Sequence, residues 1–160
     1  MNTSKIRRGD MFYADFAPVV GSEQSGSRPV IVVQNDIGNK HSPTIIVVPL
    51  TRQPKKPLPT HVVIPKSNGL DRDSFVLTEQ VRTLDRSRFS KYMGHISDEI
   101  MCKVNMALVS SIMTLPAFIQ SLTASGTTPE TIQAWLKQAD LSGAKSFHDN
   151  FNEFQSQLKV

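Results

Sequence analysis

Two unbroken apolar runs constrain this chain more than any other feature. They are Pro29-Val30-Ile31-Val32-Val33-Gln34 and Thr44-Ile45-Ile46-Val47-Val48-Pro49-Leu50. Both are rich in β-branched residues, and their continuous apolarity suits strands buried on two faces. Further strand candidates cover residues 11–16, 61–64 and 74–78, with a last pair over 80–84 and 91–95. The intervals between them are short and regular. That spacing predicts a small antiparallel barrel or sandwich rather than an alternating βαβ fold.

The pattern changes after residue 96. Ser97-Asp98-Glu99 opens a helix, with Ser97 as cap and two acids at the positive end of the helix dipole. Ile100, Val104, Leu108 and Ile112 follow as an apolar stripe. Beyond residue 115 the pattern predicts a helical extension. Leu115, Phe118, Ile119 and Leu122 recur at helical spacing until Ser125-Gly126. Thr128-Pro129-Glu130 is a second start signal, with Ile132, Trp135, Leu136 and Ala139 as its apolar face. Gly143 stops that run, and Phe147, Phe151, Phe154 and Leu158 mark a last amphipathic helix. The expected organisation is a barrel domain over 1–115 and a helical extension over 116–160.

Charge follows the same division. The 160 residues carry a formal charge of +4. Residues 1–115 hold 15 Lys and Arg against 10 acids, and residues 116–160 hold 3 against 4. The basic surplus belongs to the barrel, as expected of a domain that meets a polyanion. The single cysteine excludes an intrachain disulfide framework and a Cys-rich metal site. No apolar run approaches the roughly 20 residues that span a bilayer. The basic start leads into Gly9-Asp10 instead of an apolar signal core, so the expected location is cytoplasmic.

Two loops hold the candidate chemistry. Residues 17–28 are rich in Gly and Ser and end in Arg28, while residues 51–59 begin with Thr51 and contain three prolines and three basic residues. Proline blocks ladder pairing, so the second stretch is loop. No phosphate-binding Gly-x-x-x-x-Gly-Lys-Ser/Thr motif, metal-ligand histidine spacing or Gly-x-Ser-x-Gly elbow occurs. A guanidinium offers forked donors to phosphate oxygens and a threonine hydroxyl adds one more. Arg28 and Thr51 at adjacent strand ends could therefore grip one phosphodiester. The same residues are compatible with an ion pair from Arg28 to Glu23 or Asp36 and a simple turn threonine. Chemistry alone favours the second reading.

Residues 8–24, from Arg8-Gly9-Asp10 to Gly21-Ser22-Glu23-Gln24, resemble the MazF/PemK toxin endoribonucleases. So do Arg28-Pro29-Val30, Val33-Gln34-Asn35-Asp36, Ser42-Pro43-Thr44, Thr51, Leu58-Pro59-Thr60-His61-Val62, Asp73-Ser74, Glu79-Gln80 and Arg82-Thr83-Leu84-Asp85. The resemblance covers about residues 5–113 and is nearest to the Gram-positive branch. It implies an SH3-like barrel followed by a helix, and a homodimer that cuts single-stranded RNA at a short sequence with no metal or other cofactor. It also implies a cognate antitoxin that holds the toxin inactive, with operator DNA reached only through that complex. The family's catalytic arginine and threonine fall on Arg28 and Thr51. Its RNA groove falls on Ser22, Glu23, Gln24 and Gln80. Cleavage would proceed by attack of the substrate's 2′-hydroxyl, leaving a 2′,3′-cyclic phosphate and a 5′-hydroxyl. Arginine is a poor base at neutral pH, and Glu23 is one candidate for that role.

Two features depart from the family pattern. Arg52-Gln53-Pro54-Lys55-Lys56-Pro57 is richer in proline than is usual, which bears on the cleavage sequence, and the extension from about residue 116 lies where a typical member ends. Two alternatives draw on the same barrel class: a toxin resembling CcdB that binds DNA gyrase without catalysis, and a plain nucleic-acid-binding module.

Overall fold

The computed structural model describes residues 6–53, 56, 58–66, 69–113, 115–128 and 130–131. Seven strands form one antiparallel, barrel-like sheet: β1 (Asp10–Asp15), β2 (Ser27–Val32), β3 (Thr44–Thr51), β4 (His61–Ile64), β5 (Ser74–Leu77), β6 (Arg82–Asp85) and β7 (Phe89–His95). The helices are α1 (Asp36–His41), α2 (Asp98–Ile112) and α3 (Leu115–Ala124). The mainly β fold with a C-terminal helix agrees with the sequence expectation.

β3 organises the sheet. Along one edge it pairs with β2, from Val30 opposite Pro49 to Val32 opposite Val47. Its first half also pairs with β6 and its last two residues with β5. The two β-branched runs are thus the central strands, and alternate side chains enter two separate cores. Val30, Val32, Ile45 and Val47 join Phe12, Phe16, Leu84 and Phe89 on one face. Ile31, Val48 and Leu50 join Met11, Ile64, Val76 and Val104 on the other. The second core is the one that α2 covers, through Val104 and Ala107 with Ile100, Met101 and Leu108 packed at its margin.

Ser97 caps α2, its hydroxyl accepting from the Ile100 amide at 3.3 Å. The expected stripe is corrected at its end, because Ile112 is 72% exposed. A line of residues four apart drifts about 40° per step around an α-helix, so three steps carry Ile112 roughly 120° off the buried face. Ser111 takes its place and exchanges a hydrogen bond with Thr78 at 2.7 Å. Two other local expectations change. Residues 78–80 form a 3₁₀ turn, where the expected strands over 74–78 and 80–84 would end and begin. Residues 36–41 form α1, a helix the strand pattern did not reveal, capped by Asn35, whose side chain accepts from the Gly38 amide at 2.8 Å.

α3 directly follows α2 and contacts it. It stops where the sequence signals a stop. Gly126 has φ +85°, the Thr127 amide reaches back to the Leu122 carbonyl at 3.1 Å, and the Gly126 amide to Thr123 at 3.0 Å. These are the two bonds of a Schellman cap. Thr128 accepts from the Thr131 amide at 3.3 Å, as an N-cap does. The apolar faces expected at Ile132, Trp135, Leu136 and Ala139, and at Phe147, Phe151, Phe154 and Leu158, lie outside the described residues. Among the described residues no helix is long and apolar enough to cross a membrane.

Candidate active site

The β2–β3 register brings the two candidate catalytic residues together. Val30 opposite Pro49 is the last pair of that ladder, with Arg28 two residues before Val30 and Thr51 two residues after Pro49. Both Arg28 and Thr51 line one open cleft of about 490 Å³ at this end of the sheet.

Thr51 ends β3 and is 8% exposed. Its Oγ1 accepts from the Gln53 amide at 3.2 Å. A hydroxyl that accepts from the backbone keeps its own proton to donate. Arg28 is half-buried at the start of β2, and that burial lowers its pKa from the ordinary arginine value. An arginine so shifted is still charged at neutral pH. Its Nε donates to the Ser25 carbonyl at 2.9 Å, Nη2 donates to the same carbonyl, and Nη1 donates to Gln24 Oε1. These bonds use three of the five guanidinium N–H groups and leave two for an incoming anion. The alternative ion pairs of Arg28 do not form. Glu23 stands 3.9 Å from Arg82 and accepts from the Val20 amide at 3.1 Å. Asp36 accepts from the Arg8 amide at 2.7 Å and from Asn39 at 3.1 Å, and the first of these bonds is the main cause of its lowered pKa.

The loop from Phe16 to Gly26 forms one wall of the cleft, and side chains of the β6–β7 region hold it. Arg82 donates to the Phe16 carbonyl at 3.2 Å and the Pro18 carbonyl at 3.4 Å, with its guanidinium 5.7 Å over the Phe16 ring. Arg88 donates to the carbonyls of Asp15 and Ala17. Glu23 and Gln24 line the cleft. Ser22 is exposed on the loop and is not among the lining residues. Gln80 is not among them either, but its Oε1 accepts from the Gln24 amide at 2.8 Å.

Tyr13, Ser25 and Arg52 also line the cleft. The sequence reading did not single out Tyr13. Its signal was positional, since in β1 it stands between the buried Phe12 and Ala14 and is directly opposite Pro29. Arg52 donates to the Tyr13 hydroxyl at 3.3 Å and pairs with Asp71 at 3.0 Å, bridging the far wall. Among the described residues, no group of three or more His, Cys, Asp or Glu stands together to hold a metal ion.

Residues 7–112 match the PemK-like, MazF-like toxins of type II toxin-antitoxin systems, and the chain belongs to that family. It is 53% identical over 109 residues to the Endoribonuclease EndoA of Bacillus subtilis (strain 168), covering 67% of this chain and 94% of the relative. It is 51% identical over 109 residues to the Endoribonuclease MazF of Staphylococcus saprophyticus, covering 67% of this chain and 91% of the relative. Among solved structures it is similar to a mycobacterial endoribonuclease in complex with its cognate antitoxin. There the TM-score is 0.58 at 25% identity, over 68% of this chain and 95% of the other.

Proposed function

We propose that this toxin is a sequence-specific, metal-independent endoribonuclease acting on single-stranded RNA in the cytoplasm. The observation that carries the reading is that Arg28 and Thr51 line one cleft. A scissile phosphate seated between them would receive the two spare N–H groups of Arg28 and the hydroxyl proton of Thr51. Attack by the substrate's 2′-hydroxyl places extra negative charge on the phosphorane oxygens, where preorganised donors contribute most. The products are a 2′,3′-cyclic phosphate and a 5′-hydroxyl. Glu23 is the one carboxylate lining the cleft among the described residues, which makes it the candidate base. Glu23 and Gln24 line the groove that would receive the RNA, with Ser22 exposed on the same loop and Gln80 bonded to the Gln24 amide. No feature of the cleft favours the gyrase-binding alternative.

The working unit in this reading is a homodimer restrained by a cognate antitoxin, with operator DNA contacted only through that complex. Ile112, Met113 and Tyr92 are large apolar groups left exposed on one chain, which supports burial against a second copy. Residues 1–115 form the toxin domain and 116–160 an appendage, a division supported by the end of the family match at residue 112. Incubation of the purified toxin with RNA in excess EDTA tests the reaction. Cleavage that persists, with cyclic phosphate ends, supports it; no cleavage of RNA by the antitoxin-free protein overturns it.

A further inference from the structure

We propose that Gln80 is a positioning residue for Arg28, acting through Gln24. This inference rests on the RNA-cleaving reading for its kinetic consequence but not for its geometry. Gln80 Oε1 accepts from the Gln24 amide at 2.8 Å, across 56 residues of sequence. Gln24 Oε1 in turn accepts from Arg28 Nη1. One side-chain oxygen thus fixes the loop backbone, and the loop fixes the guanidinium.

The loop needs such a tie. Gly21 and Gly26 bracket it with φ of +58° and +70°, and the space where a Cβ would stand is open at both. Glycine in the left-handed region gives a loop wide backbone freedom when nothing else holds it. An arginine whose donors must meet a phosphate cannot tolerate that freedom, because a displacement of about 1 Å can cost roughly 100-fold in rate.

The residue that holds the loop is itself firmly placed. Gln80 ends the 3₁₀ turn that begins at Thr78, a fully buried polar residue. Thr78 donates through its amide and its hydroxyl to the Thr60 carbonyl, at 3.1 and 2.8 Å. Its hydroxyl also accepts from the Ser111 hydroxyl of α2 at 2.7 Å. Gln80 therefore connects the packed helix to the exposed loop, and it supplies an acceptor. A glutamate in its place keeps that acceptor; an alanine does not.

The test uses full-length Gln80→Ala and Gln80→Glu, with cleavage rates read at saturating RNA. The Arg28 Nε–H signal is read by ¹⁵N NMR in the RNA-free protein. Gln80→Ala should lose about 10- to 100-fold in saturated rate, and its Arg28 signal should shift. Gln80→Glu should recover most of the rate and the wild-type signal. A Gln80→Ala protein with only a raised KM, or with an unmoved Arg28 signal, overturns the proposal. So does a Gln80→Glu protein as slow as the alanine variant, the result expected if the Gln80 amide donates to RNA. Gln24→Leu supplies the same NMR readout without touching the 78–80 turn, and an unmoved signal there also overturns it. If the wild-type protein cleaves no RNA, the functional reading fails while the NMR comparison still decides the positioning.

Discussion

The two walls of the cleft are built differently. The wall from Phe16 to Gly26 is held from outside: Arg82 and Arg88 grip four of its carbonyls or those just before it, and Gln80 holds the Gln24 amide. The opposite wall, after Thr51, is tied through the exposed Arg52 to Asp71 and Tyr13. Exposed ion pairs of this kind contribute about 1 kcal/mol at most. The difference suits a division of labour. In the proposed reaction the firmly held wall would carry the groups whose placement sets the rate, and the lightly tied wall would be free to vary and read sequence.

This contrast yields predictions of decreasing size. Arg28→Ala should lower the cleavage rate by at least about 100- to 1,000-fold, the usual cost of removing a preorganised donor to a developing oxyanion. Circular dichroism should show the fold retained, and wild-type growth arrest by this variant would break the account. Next comes Arg82→Met, which removes two carbonyl bonds and the contact over Phe16. It should cost on the order of 10- to 100-fold in kcat with little change in KM; a purely KM effect would assign Arg82 to RNA binding instead. On the other wall, Arg52→Ala should leave kcat nearly unchanged. It should reduce the salt dependence of RNA binding by about 0.7 in the log–log slope, the contribution of one phosphate contact on a single strand. The smallest effect is expected from truncation after Met113, which should leave specific activity unchanged. A large rise with the dimer intact would make the extension an inhibitor.

Much of the fold was legible because the two β-branched runs admit few other uses. Residues buried on both faces must be central strands, and Arg28 and Thr51 lie on those two strands where both reach one cleft. Charge and spacing located the loops but not what holds them. Arg82 and Arg88 read as surface charge in sequence, since their partners are backbone carbonyls 64–73 residues away. Nothing in the sequence around Gln80 announces its bond to the Gln24 amide. α1 was missed because six residues between strands give too little periodicity, although Asn35-Asp36 is a cap signal. Ile112 was misplaced because spacing by four approximates a 3.6-residue turn only over one or two steps.

The central claim is that Arg28 and Thr51 act on a phosphodiester attacked by its own neighbouring hydroxyl. The most direct test is to incubate the toxin with an RNA it cuts and with the same strand carrying a single 2′-deoxy sugar on the 5′ side of the cut. The account predicts a 2′,3′-cyclic phosphate and a 5′-hydroxyl from the first strand and no cleavage at that position of the second. Cleavage of the deoxy-substituted strand at the same bond would contradict it.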